Sequence, residues 1–149
     1  MRRHARGFTM VELVMTMVVI GILAAVALPR FDTSIYRVLE FHDKTVAALR
    51  YAQKTATSHR RRVCVAFTDS TVTLTIALVN PSATCNASLV LPGGNSNVVQ
   101  SNDPANAKFS LFPASIDFLP DGSGSGGSIS IFNQSTMTIT VVGTTGSVY

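Results

Sequence analysis

Glu12 is the residue most in need of a chemical explanation. It is the only charged side chain between Phe8 and Leu28, a run of 21 residues. A carboxylate at that depth in hydrocarbon costs about 2.5–3.5 kcal/mol, so it must find a cation or reach water. Two other groups carry pairing chemistry. Cys64 and Cys85 lie in the polar part of the chain, either as a disulfide or as two thiols. Arg60, Arg61 and Arg62 are consecutive. They read as cations near a helix C-terminus, where the dipole favours them, or as a phosphate-binding patch able to contact DNA.

Little else in the chain could carry catalysis. Beyond the first seven residues the histidines are His42 and His59, both in a helical stretch. There is no GxSxG or HExxH pattern and no pair of carboxylates at a useful spacing. Asp117 and Asp121 flank a turn. The Gly/Ser-rich stretch 121–128 lacks the Lys-Ser/Thr ending and the strand–loop–helix setting of a phosphate loop. The cysteines show no zinc-ligand spacing. The expectation is a protein that is not an enzyme, with no metal and no cofactor.

These groups must be positioned by a few elements. As a helix, the run from Phe8 to Leu28 rises about 30 Å, the hydrocarbon thickness of a bilayer. Arg2, Arg3 and Arg6 precede it, which keeps the N-terminus cytoplasmic and exports the remainder. In an oxidising compartment a Cys64–Cys85 bridge can form. The run is either a secretory signal cut near Ala24-Ala25-Val26-Ala27 or an uncleaved anchor. Without residues 1–7, nine bases face eight acids, so the high isoelectric point belongs largely to the leader and says little about nucleic acid. Pro29 should kink the helix or mark the membrane exit.

Beyond it, Ile35, Val38, Leu39, His42, Val46, Leu49 and Ala56 recur at helical spacing. The opposite face carries Arg37, Glu40, Lys44, Arg50 and Lys54, which predicts an amphipathic helix ending near Thr57. His42 reads as a partly buried core residue. From Val63 the period changes to two. Val63, Val65 and Phe67, then Val72, Leu74, Ile76 and Leu78, predict a hairpin around Thr68-Asp69-Ser70. A loop follows at 80–88, then short strands near 88–91, 97–100, 107–112 and 115–119. The stretch 121–128 reads as a flexible hairpin connection between Ile116–Leu119 and Ser128–Phe132, and Met137–Val142 supplies a final strand.

Gly7-Phe8-Thr9-Met10-Val11-Glu12-Leu13, with the basic leader before it and the apolar run and Pro29 after it, resembles the prepilin motif of type IV pilins and type II secretion pseudopilins. That resemblance implies cleavage after Gly7 by a prepilin peptidase and N-methylation of Phe8. The apolar helix is then retained as anchor and assembly element. Glu12 would pair with the Phe8 amine, within one helix at i,i+4 or in a neighbouring subunit, where it sets axial register.

The tail narrows the likeness. Ile116-Asp117-Phe118-Leu119-Pro120-Asp121-Gly122, Ile129-Ser130-Ile131, Thr138–Val142 and Thr145-Gly146-Ser147-Val148 are similar to the C-terminal pattern of the GspH/FimT group of minor pseudopilins and minor pilins. So is the stretch from Ala47 to Phe67. Some FimT-like minor pilins bind DNA through a C-terminal G-R-x-R motif. The corresponding residues here are Gly146-Ser147-Val148-Tyr149, and both arginines are absent.

The resemblance implies an α+β, pilin-like fold: a long N-terminal helix packed on a small antiparallel β-sheet domain. The expected organisation is a leader at 1–7, a transmembrane and assembly helix at 8–29, an amphipathic stem at 30–58 and a periplasmic β-rich domain at 59–149. The expected function is a minor pseudopilin at or near the tip of a type II secretion pseudopilus. The alternative is a FimT-like minor pilin. The expected partners are other minor subunits, the major subunit, prepilin peptidase and the inner membrane, with DNA a partner of the alternative reading.

Overall fold

The structure is a computed structural model that describes residues 7–27, 33–131 and 137–149. It divides into two units, Met1–Thr33 and Ser34–Tyr149. In the first, helix α1 runs from Met10 to Ala27. Its large side chains are exposed on every side, from Met10 and Val11 to Ile22 and Leu23. Such a helix has no polar face to turn to water.

The second unit is built on α2, Thr33–His59. Its buried face is Val38, Phe41, Thr45, Ala48, Leu49, Ala52, Thr55 and Ala56. This face is rotated from the one the apolar spacing predicts. Ile35 and Leu39 are 47% and 41% exposed, and Phe41 takes the centre. The buried stripe combines Phe41 and Leu49 with the small residues Ala48, Ala52 and Ala56. Buried Thr45 is satisfied by donating its hydroxyl to Phe41 O at 2.8 Å. His42 is half-buried, with Nδ1 3.0 Å from Asp43 Oδ1.

α2 runs two residues beyond Thr57. Arg60 N donates to Thr57 O and Arg61 N to Ala56 O, the paired bonds of a Schellman stop. Arg60 therefore takes φ 52° at a position glycine favours. Arg60→Gly is expected to raise stability by about 1 kcal/mol, read as a higher denaturation midpoint. A lower midpoint would mean that the arginine side chain contributes more than its backbone costs.

The first sheet contains β1 (Val63–Phe67), β2 (Thr71–Ile76), β3 (Ala87–Ser88), β4 (Val98–Gln100) and β6 (Ser115–Phe118). β1 and β2 form the expected hairpin, with Val65 opposite Leu74 and Phe67 opposite Val72. β6 pairs antiparallel with the other edge of β1, and β3 and β4 share the outer edge of β2. The strand stops at Ile76, and Leu78 is 55% exposed, outside the apolar face the alternation predicts.

A second sheet joins β5 (Phe109–Leu111), β7 (Gly127–Ile131) and β8 (Thr138–Val141) in the order β5-β7-β8. The stretch 121–128 therefore does not close a hairpin: β6 and β7 belong to different sheets. It crosses between them because Gly124 N bonds to Gly143 O at 2.8 Å and Ser125 N to Asp117 O at 2.9 Å. Asp121 Oδ1 accepts from Ser123 N and Oγ, which fixes the turn and holds its carboxyl below the ordinary carboxylate value.

One core joins α2 and both sheets. Phe109 of the second sheet is the pin. Its ring lies 4.8 Å from Phe41 of α2 and 5.9 Å, edge-on, from Phe67 of β1. Aromatic pairs at such separations add about 0.5–1.5 kcal/mol each beyond their burial.

Candidate assembly and interaction sites

The N-terminal site is set by Thr9. Its hydroxyl accepts from Glu12 N at 3.3 Å and its carbonyl from Leu13 N at 3.2 Å, so Thr9 is the N-cap of α1. Thr9 and Glu12 have the spacing of a capping box, a signal legible in the sequence that motif matching alone passes over. The cap fixes the helix start two residues after Gly7. Phe8 stands exposed just before it. Glu12 is exposed too, in the first turn, where the helix dipole favours an acid. Among the described residues no salt bridge involves it.

The 18 residues of α1 rise about 27 Å, a few Å less than a hydrocarbon core. Among the described residues no helix is long and apolar enough to cross a membrane. The apolar run continues to Leu28, and Leu28 and Pro29 lie outside the described residues, as do residues 1–6 of the leader.

A second cluster surrounds the cysteines. Cys64 on β1 is bonded to Cys85, with Cα atoms 6.0 Å apart, which ties the loop after β2 back to the sheet. Arg62 secures the same loop. One guanidinium N–H donates to Ala83 O at 2.9 Å, and another contact reaches Asp117 at 3.9 Å. Its Nε is buried and has no hydrogen-bond partner among the described residues. Arg62 is thus half-buried and committed to the fold, whereas Arg60 is exposed and Arg61 half-exposed.

The third cluster is the C-terminal segment. Tyr149 N and O both bond to Thr140, and Val142 N bonds to Ser147 O, so residues 147–149 extend the second sheet beyond β8. α2 clamps this segment: Gln53 Nε2 donates to Thr145 O at 2.9 Å and Arg50 to Val148 O at 3.2 Å. Gly146 and Val148 are buried, while Tyr149 is 73% exposed. Composition gave no hint of the Arg50 and Gln53 contacts, because their partners are backbone carbonyls some 90 residues away in sequence.

Polar contacts also tie residues 102–106 to the lower half of α2. Asp103 accepts from Asn106 Nδ2 at 3.1 Å and pairs with Arg37 at 3.4 Å. Asn106 first, then Arg37, hold its carboxyl below the ordinary value. Glu40 is lowered likewise, mainly by Lys44 one turn on. A lowered carboxylate contributes stability above its unfolded pKa and loses it as pH falls through the folded value. Glu40 is exposed, and half-buried Asp103 pairs with a solvent-facing Arg37, so solvent screens both interactions and the contribution is small.

Among the described residues no group of acids, cysteines and histidines could hold a metal. The features above are packing and pairing surfaces. Residues 2–28 match the prokaryotic N-terminal methylation motif, and residues 43–146, more than half of the chain, match the family described as Type II transport protein GspH. The type IV narrow pilus major component PilA5 of Thermus thermophilus is 44% identical over 55 residues. That stretch covers 36% of this chain and 47% of PilA5, so the chain spans about half of that relative. The crystal structure of the type IV minor pilin FimU of Pseudomonas aeruginosa superposes with a TM-score of 0.57 at 14% identity. It covers 78% of this chain and 90% of FimU, and shows a shared fold. Family and fold are those of structural, pilin-like subunits and not of enzymes. With a methylation motif at its start and a pilin-like α+β unit behind it, this chain belongs to the GspH family, a type IV pilin-like minor component.

Proposed function

We propose that the chain is a minor pseudopilin, placed at or near the tip of a type II secretion pseudopilus and acting in its initiation and hence in protein export. The observation that carries this is α1: a helix apolar on every side, capped by Thr9 two residues after the methylation-motif glycine, in a chain whose other unit is of the GspH family. Prepilin peptidase cuts after Gly7 and Phe8 is methylated. The segment 8–29 holds the subunit in the inner membrane by a single pass, N-terminus cytoplasmic, stem 30–58 and domain 59–149 periplasmic. On incorporation, α1 exchanges lipid for the helices of other minor subunits and the major subunit. Pro29 adjusts its path. Glu12 pairs with the Phe8 amine of a neighbour, and that pairing fixes the axial register.

The alternative is a minor pilin of a type IV pilus, favoured by the likeness to FimU and to PilA5. The same assembly physics serves both. The absence of arginines at Ser147 and Tyr149, and the commitment of Arg62 to Ala83 and Asp117, weaken a DNA-uptake role.

Glu12→Leu keeps the apolar helix and removes the charge. Its incorporation into complexes with the other subunits, measured by co-purification, is expected to fall about tenfold, the equivalent of roughly 1.4 kcal/mol. Undiminished incorporation would refute the pairing role. Whether pseudopilus or pilus subunits co-purify with the unaltered chain separates the two systems.

A further inference from the structure

The upper half of α2 and the turn after it are rich in cations. Residues 50–61 hold Arg50, Lys54, Arg60 and Arg61 with no Asp or Glu among them, and Arg62, next in the chain, is paired with Asp117. Arg50 and Lys54 line a groove of about 550 Å³ between α2 and the C-terminal segment, together with Tyr51, Gln53, Val148 and Tyr149. No Asp or Glu side chain lines it, and among the described residues neither cation forms a salt bridge. Arg50 is nevertheless held in place, because its guanidinium donates to Val148 O at 3.2 Å. A guanidinium positioned by a neutral carbonyl keeps its full charge and its remaining N–H donors for another group.

From this geometry we propose that the groove docks an acidic, extended segment of a partner protein, with carboxylates on Arg50 and Lys54. The spacing fits. Side chains at i and i+4 of a helix stand about 5–6 Å apart at Cβ. Alternate side chains of an extended peptide repeat at about 6.6–6.8 Å on one face. A Glu-x-Glu segment laid along α2 therefore meets both cations. Val148 and the tyrosine rings give its backbone and intervening residues an apolar wall. Nucleic acid is the poorer occupant. Its affinity rests on a track of many phosphate contacts, whereas this groove is one helical turn long with two cations. The proposal concerns the globular unit alone, so it stands or falls separately from the assembly role of Glu12.

The test uses the full chain in nonionic detergent and fluorescence anisotropy of a labelled Gly-Glu-Ser-Glu-Ser-Glu-Gly peptide. Its glutamine counterpart and oligothymidine are the comparison probes. The acidic peptide is expected to bind at low salt. Binding should weaken about tenfold in Arg50→Gln and about fivefold in Lys54→Gln, as for loss of charge-assisted bonds in a partly exposed site. Lys54 is exposed, and among the described residues no salt bridge involves its side chain, so its variants report on charge with little effect on the fold. If Arg50→Gln lowers the unfolding temperature, Lys54→Gln and Lys54→Glu decide. Four results would overturn the proposal: no binding at low salt, equal binding of the glutamine peptide, tighter oligothymidine binding sensitive to the same variants, or equal weakening by Arg61→Gln. The last would assign the attraction to the diffuse charge of the helix end and not to the groove.

Discussion

Gly146→Ala is expected to destabilise the globular unit by about 3–4 kcal/mol, read as a lower urea midpoint by circular dichroism. Two costs combine. Gly146 has φ 63°, where an L side chain costs about 1–2 kcal/mol. A Cβ there would also stand 2.3 Å from Gly122 O and 3.0 Å from Gln53 Nε2. The first neighbour is backbone and cannot rotate away. Gly122 belongs to the crossing between the sheets, and Gln53 to the clamp of α2 on the C-terminal segment. Relief of the clash must shift one or both. Gly93 separates the two costs. It has φ 79° but open space around a Cβ, so Gly93→Ala should cost only about 1 kcal/mol. Equal losses at the two positions would contradict the steric account.

Removing the disulfide is the other large expected effect. Cys64 and Cys85 are 21 residues apart. Closing a loop of that length removes unfolded-state entropy worth about 3 kcal/mol. The double variant Cys64→Ser, Cys85→Ser should lose roughly that amount, and reduction of the unaltered chain should give the same shift. The loop should also become sensitive to protease near Leu78 and Val79, which are exposed even when it is tethered. Arg62 limits the local effect because it holds Ala83 independently. Adding Arg62→Ala to the double variant should therefore increase cleavage beyond the cysteine change alone. A midpoint unmoved by reduction would mean that the bridge adds nothing the rest of the loop does not already secure.

The sequence by itself determined the parts of this protein that depend on local spacing. The apolar run with its single acid, the helical period of 35–56 and the alternation of Val63–Phe67 and Thr71–Ile76 each express one element's own periodicity. The capping relation of Thr9 to Glu12 is local in the same way. Near neighbours suffice to specify such features, so they survive in a one-dimensional reading.

Only the tertiary structure decided which face of α2 is buried: Phe41, with Ala48, Leu49 and Ala52, faces the core, while Ile35 and Leu39 are exposed. It also decided that the stretch with Gly122 and Gly124 crosses between two sheets, with Gly146 of the C-terminal segment packed against Gly122, and is not a flexible hairpin. The requirement for glycine there comes from a carbonyl about two dozen residues away, which no local pattern records. The same holds for Arg50, whose carbonyl partner on Val148 is 98 residues distant. Contacts between segments far apart in the chain are fixed by packing, and packing is a property of the folded chain.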